Sequence, residues 1–242
     1  MSSNQLARVA GGLYLILAIC GGFAQLVARS GVKVTGDVAA TADNIRTSST
    51  LVTIGFVADA VNILFFIGVA LVLYVLLSPI SRWASATFVV FVAIAVAIMG
   101  SALAAHAGAL MLATDPAYTT SLGAATADAL AALFLDLHGF GYLVAEIFFG
   151  LWLAPLGYAV YRSGYFPRVL GIGLVVGAVS YVASFTATVL TPGFLESDLA
   201  LLLALPAALA EVSFILWLLI KGADVRLRLQ TSPATGRAPA AA

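Results

Sequence analysis

Eight polar side chains in this sequence lie inside long apolar segments, where burying them is costly. An ionisable side chain at the centre of an apolar helix in lipid costs about 2.5–3.5 kcal/mol on insertion scales. Histidine and carboxylate groups relay protons and bind metal ions, so the set indicates a site for a proton, a metal ion or a small solute. The eight residues are Asp59, Asn62, His106, Asp136, His138, Tyr142, Glu146 and Glu211.

Helical spacing decides which of these side chains can share a pocket. His138, Tyr142 and Glu146 follow one another at intervals of four residues and are predicted to share one helix face. Asp136 lies two residues before His138, about 200° around a continuous helix, and is therefore the weaker site candidate. Two glycines within 139–141 could interrupt that helix, and the sequence leaves this open.

The composition requires that lipid covers much of the chain. Of 242 residues, 62% are hydrophobic and 9% are charged, whereas a soluble domain has about a quarter of its residues charged. The apolar residues come in long blocks, not in the alternating pattern of a membrane barrel, so the fold is predicted to be all-α. A net charge of zero without a basic run excludes a nucleic acid partner. Cys20 is the only cysteine, which excludes an intrachain disulfide and any CxxC motif.

Six apolar blocks reach the roughly 20-residue length that crosses a bilayer. They predict a polytopic six-helix transmembrane bundle that forms a single domain over 1–222. The segment 223–242 is rich in Ser, Pro, Ala and Gly and is predicted to be a disordered cytoplasmic tail. The predicted spans are 7–28, 51–77, 83–111, 129–161, 169–190 and 199–220.

Basic residues are distributed unevenly between the two sets of helix ends. One set carries only Arg29, Lys33 and Arg46. By the positive-inside rule the richer set is cytoplasmic, which predicts an N-in/C-in topology. The richer set holds Arg8, Arg82, Arg162, Arg168, Lys221, Arg226, Arg228 and Arg237.

The depth of each polar residue follows from its distance to a helix end at about 1.5 Å per residue. Glu211 is placed near the midplane, and Glu146 is placed in the outer half. Asp59, which shares a face with Asn62, and His106 are placed closer to the outer surface. Most of the set is therefore predicted to form an outward-facing polar cluster in which helices two, three and four have to be neighbours.

Several stretches along the chain resemble a bacterial family of membrane proteins known as domain of unknown function 4386. The resemblance covers roughly 6–222 and implies a helical, multi-pass protein of the bacterial plasma (inner) membrane. It implies no activity, no cofactor and no site residue. The stretches are ARVAGGLY at 7–14, GFVAD at 55–59, LYVLL at 73–77, FLDLH at 134–138, YRSGYFPR at 161–168, and LPAA at 205–208 with Glu211 and Trp217.

Four functions fit this pattern, and whether the protein is an enzyme stays open. The first is a small-ligand-binding or transport-related protein that uses the outward-facing cluster. The second is a structural or accessory subunit that binds a membrane protein partner, or forms a homo-oligomer, through stripes of small residues. The third is an intramembrane metal-dependent hydrolase with His106, His138, Asp59 and Glu146 as ligands. The fourth is a haem protein with the two histidines as axial ligands. The cofactor stays unknown, because the sequence gives no firm indication of one.

Overall fold

The computed structural model describes residues 1–224, except for the side chain of Glu196, and consists of helices joined by short loops. Two short turns supplement eight α-helices: a π-helical turn over Ala24–Arg29 and a 3₁₀ turn over Phe194–Glu196. The helices are α1 (Ser3–Phe23), α2 (Val38–Thr47), α3 (Ser49–Leu77), α4 (Arg82–Thr114), α5 (Pro116–Leu122), α6 (Ala124–Ser163), α7 (Arg168–Leu190) and α8 (Asp198–Ile220).

Six of these helices are long and apolar enough to cross a membrane, counting the π-helical turn as part of the first. Each packs against the next in the order α1, α3, α4, α6, α7 and α8, and α8 packs back against α1. The spanning helices therefore form a closed ring. The prediction of an all-α six-helix transmembrane bundle is confirmed, and residues 1–224 contain no strand. The N-in/C-in topology stays a prediction.

The helices begin and end at their capping residues, and these positions differ from the predicted bounds of the apolar blocks. The first span starts at Ser3 and not at residue 7, because Ser2 and Gln5 form a capping box. The fourth span runs over 40 residues, through 139–141 without a break, and ends at Gly164 with a φ of 64°. Of the predicted tail, residues 225–242 lie outside the described residues, whereas Ala223 is buried.

Aromatic side chains fill the middle of the ring. Trp152 on α6 is buried, and its ring centroid lies 5.1 Å from that of Phe66 on α3 and 5.7 Å from that of Tyr14 on α1. Large buried aromatic rings supply much of the packing energy of a core. Because these three rings occupy the centre, the ring of helices does not enclose an open channel at this level.

One end of the bundle carries α2 and α5, and we call it the α2 end. Asp37 caps α2 by accepting a hydrogen bond from the backbone amide of Ala40 at 2.9 Å. The helix then covers the ring through a second apolar cluster that is separate from the main core. This cluster contains Val32, Ala42, Ile45, Val52, Ala109, Leu112, Ala113, Ala131 and Leu135.

Helices α6 and α7 approach each other closely at a pair of glycines. A Cβ atom added to Gly157 would lie 2.6 Å from the carbonyl oxygen of Gly171. A Cβ atom added to Gly171 would lie 2.6 Å from the carbonyl oxygen of Gly157. Backbone therefore packs directly on backbone, which is the contact that small residues permit in lipid.

Candidate functional site

Four of the eight polar side chains meet with one arginine inside the ring, between the aromatic layer and the α2 end, and we call these five residues the Asp59 cluster. They come from four elements: the π-helical turn, α3, α4 and α6. Asp59 precedes Phe66 by seven residues on α3, which places the cluster about 10 Å along the helix axis from the aromatic layer. The members are Arg29, Asp59, His106, His138 and Tyr142.

The carboxylate of Asp59 is the centre of this cluster, and it is fully buried. Its Oδ2 atom forms an ion pair with Nη1 of Arg29. Its Oδ1 atom accepts a hydrogen bond from the Tyr142 hydroxyl at 2.8 Å. Because each oxygen has a partner and one partner is a cation, the cost of burying this charge is offset.

The hydrogen bonds of His138 determine its protonation state. Nδ1 lies 2.8 Å from the carbonyl oxygen of Ala102, and Nε2 lies 3.0 Å from Nη1 of Arg29. A carbonyl only accepts and a guanidinium only donates, so the proton is on Nδ1 and the ring is neutral. Helix α6 comes close enough to α4 for this contact because residue 141 is glycine, whose added Cβ would lie 2.6 Å from that of Ala102.

Arg29 reaches the cluster from the π-helical turn that ends α1. This turn packs on α3 at Gly55, where an added Cβ would lie 2.5 Å from the Cβ atom of Ala28. Gln25 accepts hydrogen bonds from Nε and Nη2 of Arg29 at 3.1 and 2.7 Å. The guanidinium carbon also lies 4.9 Å from the centroid of the Tyr142 ring, a cation–π distance. Arg29 is thus held on one side by Gln25, which is exposed, and on the other by the buried cluster.

His106 is buried beside these groups without a hydrogen bond. Its Nδ1 atom lies 3.7 Å from Oδ2 of Asp59, and neither ring nitrogen has a hydrogen-bond partner among the described residues. The ring stands edge-on to His138, with centroids 4.9 Å apart, and to Phe56 at 5.6 Å. Buried ring nitrogens normally have partners, so this residue requires an explanation.

Three of the residues predicted as metal ligands can offer their atoms to one point. One atom from each of Asp59, His106 and His138 lies within 4.8 Å of the other two, and all three residues are buried. Two imidazoles and a carboxylate are a donor set that zinc uses. Nη1 of Arg29 contacts two of these atoms, so a metal ion and this guanidinium would exclude each other.

Haem does not fit between the two histidines. Axial ligands bind iron from opposite faces of a porphyrin. Here the His106 and His138 rings are in contact with each other, and Nε2 of His138 faces Arg29. The rings would have to move apart by the thickness of a porphyrin.

The structure separates four of the eight predicted residues from the Asp59 cluster, and three of them have unrelated contacts. Glu146, predicted to share the face of His138 and to ligate a metal, faces Ser184 on α7. Asn62 donates a hydrogen bond from Nδ2 to the carbonyl oxygen of Leu17 at 2.9 Å and so joins α3 to α1. Asp136 points to the surface, where its Oδ1 atom lies 2.6 Å from Nζ of Lys33.

Glu211 belongs to a second hydrogen-bond network on the other side of the ring. Its two carboxyl oxygens accept hydrogen bonds from the hydroxyl groups of Tyr14 on α1 and Tyr181 on α7. The Tyr181 bond is 2.7 Å long. This network ties α8 to its two neighbours in the ring, and Glu211 does not contribute to the Asp59 cluster.

Two residues of the site were not predicted from the sequence. Arg29 is one of three basic residues at the α2 end. In the sequence it contributes only to the prediction of topology. Its position directly after an apolar block is the signal that could have indicated an inward-facing cation. The carbonyl of Ala102 has no signal in the sequence.

Removing the hydroxyl of Tyr142 should destabilise the protein by about 1.5–3 kcal/mol, because Asp59 then loses a charge-assisted hydrogen bond. The change is Tyr142→Phe, which keeps the aromatic ring under Arg29. Chemical unfolding in detergent measures the difference. Tyr158→Phe is the control, since Tyr158 lies exposed on the same helix. Equal stability of the two variants would show that the bond from Tyr142 to Asp59 contributes nothing.

Comparison with known proteins finds a matching family model and a relative, neither of which has a described activity. A family model described as domain of unknown function (DUF4386) matches residues 9–222. A protein of Archaeoglobus fulgidus titled "Uncharacterized protein" is 34% identical over 89 residues, which are 37% of this chain and 48% of the relative. That match spans about half of the relative's length. No solved structure matches this chain.

Proposed function

This chain belongs to the family of domain of unknown function 4386, and from that premise we propose that it is a transport-related membrane protein that binds a small solute at the Asp59 cluster. The observation that carries the proposal is an ion pair inside the ring together with two buried histidines and the part-buried Tyr142. Apolar side chains would fill such a space at equal or lower cost. Ionisable groups inside a membrane bundle mark solute or ion pathways by default.

The surroundings of the Asp59 cluster support an entrance near the α2 end of the bundle, at the side of the ring. The second apolar cluster covers the Asp59 cluster from above at the α2 end, whereas Arg29 is partly exposed and Gln25 is exposed. A solute would therefore enter beside the π-helical turn. With the proposed N-in/C-in topology, this entrance faces outward from the bacterial plasma membrane.

A screen for thermal stabilisation tests this proposal. Detergent-purified protein is heated with sodium, magnesium, zinc, ammonium, acetate or phosphate salts at matched ionic strength. A solute that binds the folded state stabilises it by about 2.7 kcal/mol at a hundred times its Kd. We expect at least one solute to raise the Tm of the wild type and not that of Asp59→Asn.

Asp136→Asn is the matched control, because it removes a carboxylate from α6 outside the cluster. The stabilisation should persist in that variant. If no solute produces an effect that depends on Asp59, the solute-binding proposal fails. The remaining function would then be an accessory subunit that binds another membrane protein or a second copy of this chain.

A further inference from the structure

We infer that the solute is a divalent transition-metal ion of the zinc class, bound by Asp59, His106 and His138, and that Arg29 leaves the cluster when the metal binds. The inference rests on the proposed function and specifies its ligand. It gives a role to two groups. One is the buried His106 imidazole, which has no hydrogen-bond partner among the described residues. The other is the Arg29 guanidinium, which contacts two potential ligand atoms.

The donor set selects the class of ion. Two imidazole nitrogens and one carboxylate oxygen suit zinc and its first-row neighbours. Calcium and magnesium take oxygen ligands, and magnesium keeps several waters. Three protein ligands also leave a fourth position open, as in zinc sites where a solute or water completes the tetrahedron.

The distances are close to those that a metal ion needs. In a tetrahedral site with bonds of about 2.0–2.1 Å, neighbouring donor atoms lie about 3.3 Å apart. Oδ2 of Asp59 lies 3.5 Å from Nε2 of His138 and 3.7 Å from Nδ1 of His106. Both gaps to Asp59 close with side-chain shifts of a few tenths of an ångström, and the donor atoms of the two histidines lie within 4.8 Å of each other.

The atoms that do not face the metal position are already held. Nδ1 of His138 donates to the Ala102 carbonyl, which leaves Nε2 as the atom that can bind a metal. Oδ1 of Asp59 accepts from Tyr142, which leaves Oδ2. Outer hydrogen bonds of this kind fix the tautomer and orientation of metal ligands.

The environment of His106 supports the metal site separately from the donor distances. Its side chain is 1% exposed, both ring nitrogens lack a hydrogen-bond partner among the described residues, and Nδ1 is directed towards Asp59. A bond to a metal ion would satisfy one of these nitrogens. In a purely structural cluster a buried imidazole would be expected to make a full hydrogen bond, whereas Nδ1 of His106 stays 3.7 Å from Oδ2 of Asp59.

Arg29 occupies the cation position in the structure. Its Nη1 atom contacts Oδ2 of Asp59 and Nε2 of His138, two of the three proposed ligand atoms. Gln25 binds the opposite edge of the guanidinium and lies exposed, so Arg29 can withdraw in its direction. One cation replaces another, and the carboxylate stays paired throughout.

The test measures metal binding to detergent-purified protein that has been stripped with a chelator. Zinc content by elemental analysis gives the stoichiometry, and the visible absorption of bound Co²⁺ reports four-coordinate nitrogen and oxygen ligands. We expect one equivalent in the wild type and loss of the Co²⁺ band in His106→Ala. Arg29→Gln should bind at least tenfold more tightly, because the competing cation is gone. Glu146→Gln should bind like the wild type.

The double variant Arg29→Gln with Asp59→Asn guards against misfolding, since it removes both charges of the pair together. It should stay folded and bind no metal. Absence of Zn²⁺ and Co²⁺ binding in both the wild type and Arg29→Gln would overturn the inference, as would full binding in His106→Ala. If another solute still stabilises the protein through Asp59, the proposed function stands and only the metal assignment fails. If none does, both fail.

Discussion

Replacing Asp59 with leucine is expected to lower the free energy of unfolding by about 3–5 kcal/mol, because the change leaves a largely buried guanidinium without its counter-ion. Arg29 would also keep its contact with the neutral His138 ring, which cannot compensate its charge. The hydroxyl of Tyr142 would lose its acceptor at the same time. Unfolding in detergent, followed by circular dichroism, measures the loss.

Two further variants separate the cost of the unpaired charge from the loss of packing. The double variant Arg29→Met with Asp59→Leu should recover most of the stability, since replacing both members of a buried pair by apolar groups is close to neutral. Asp136→Leu removes a carboxylate whose pair with Lys33 is more than half exposed, and should cost at most about 1 kcal/mol. A loss in Asp59→Leu no larger than that in Asp136→Leu would contradict the assignment of Asp59 as a compensated buried charge.

Introducing valine at Gly171 is expected to separate α6 from α7 and to leave little folded protein. A Cβ atom there would lie 2.6 Å from the Gly157 carbonyl oxygen and 2.7 Å from the Tyr161 amide nitrogen, and neither backbone atom can move alone. Overpacking a well-filled contact costs about 1–3 kcal/mol and more where backbone must shift. The folded fraction after detergent extraction, measured by size-exclusion chromatography, gives the result.

Gly173→Ala is the matched control on the same helix. Its Cβ atom would meet its nearest neighbour, the Cβ atom of Ala210, at 3.6 Å, which is ordinary van der Waals contact. That variant should fold like the wild type. Equal yields of Gly171→Val and Gly173→Ala would show that the close contact between α6 and α7 is adjustable.

The sequence predicts the spanning helices well because hydrophobicity is the property that a bilayer selects. It predicts their ends less well. A helix stops at its cap and not at the edge of its apolar block. Helix α1 begins at Ser3, four residues before the predicted bound at residue 7, because Ser2 caps it. Helix α6 extends to Ser163, where the left-handed Gly164 ends it. The packing of α8 against α1, which closes the ring, cannot be predicted from hydropathy.

The candidate site is predictable in part. The sequence singles out Asp59, His106, His138 and Tyr142, and the structure brings these four together. Glu146 does not join them, because eight residues in a helix turn through about 800°, which leaves it about 80° away from His138. Over two helical turns, intervals of four residues no longer describe one face.

Arg29 illustrates why the remainder of the site could not be predicted. Its side chain points inward because the chain forms a π-helical turn over Ala24–Arg29, which rotates the last residues relative to a regular α-helix. This turn packs closely on α3 through the contact of Ala28 with Gly55. The extra residue that widens one helical turn follows from packing between helices. No local sequence pattern predicts it.

The closed ring has a consequence for the order in which the protein assembles as it leaves the ribosome. Helices α1, α3, α4 and α6 are made before α7 and α8, and together with the π-helical turn after α1 they contain every member of the Asp59 cluster. The seam at which α1 meets α8, where an added Cβ on Gly11 would lie 2.9 Å from the Cβ atom of Leu218, closes only after the last helix is inserted. The nascent chain can therefore complete its polar centre while one flank of α1 still faces lipid, and the hydrogen bonds of Glu211 to Tyr14 and Tyr181 then lock the final helix in place.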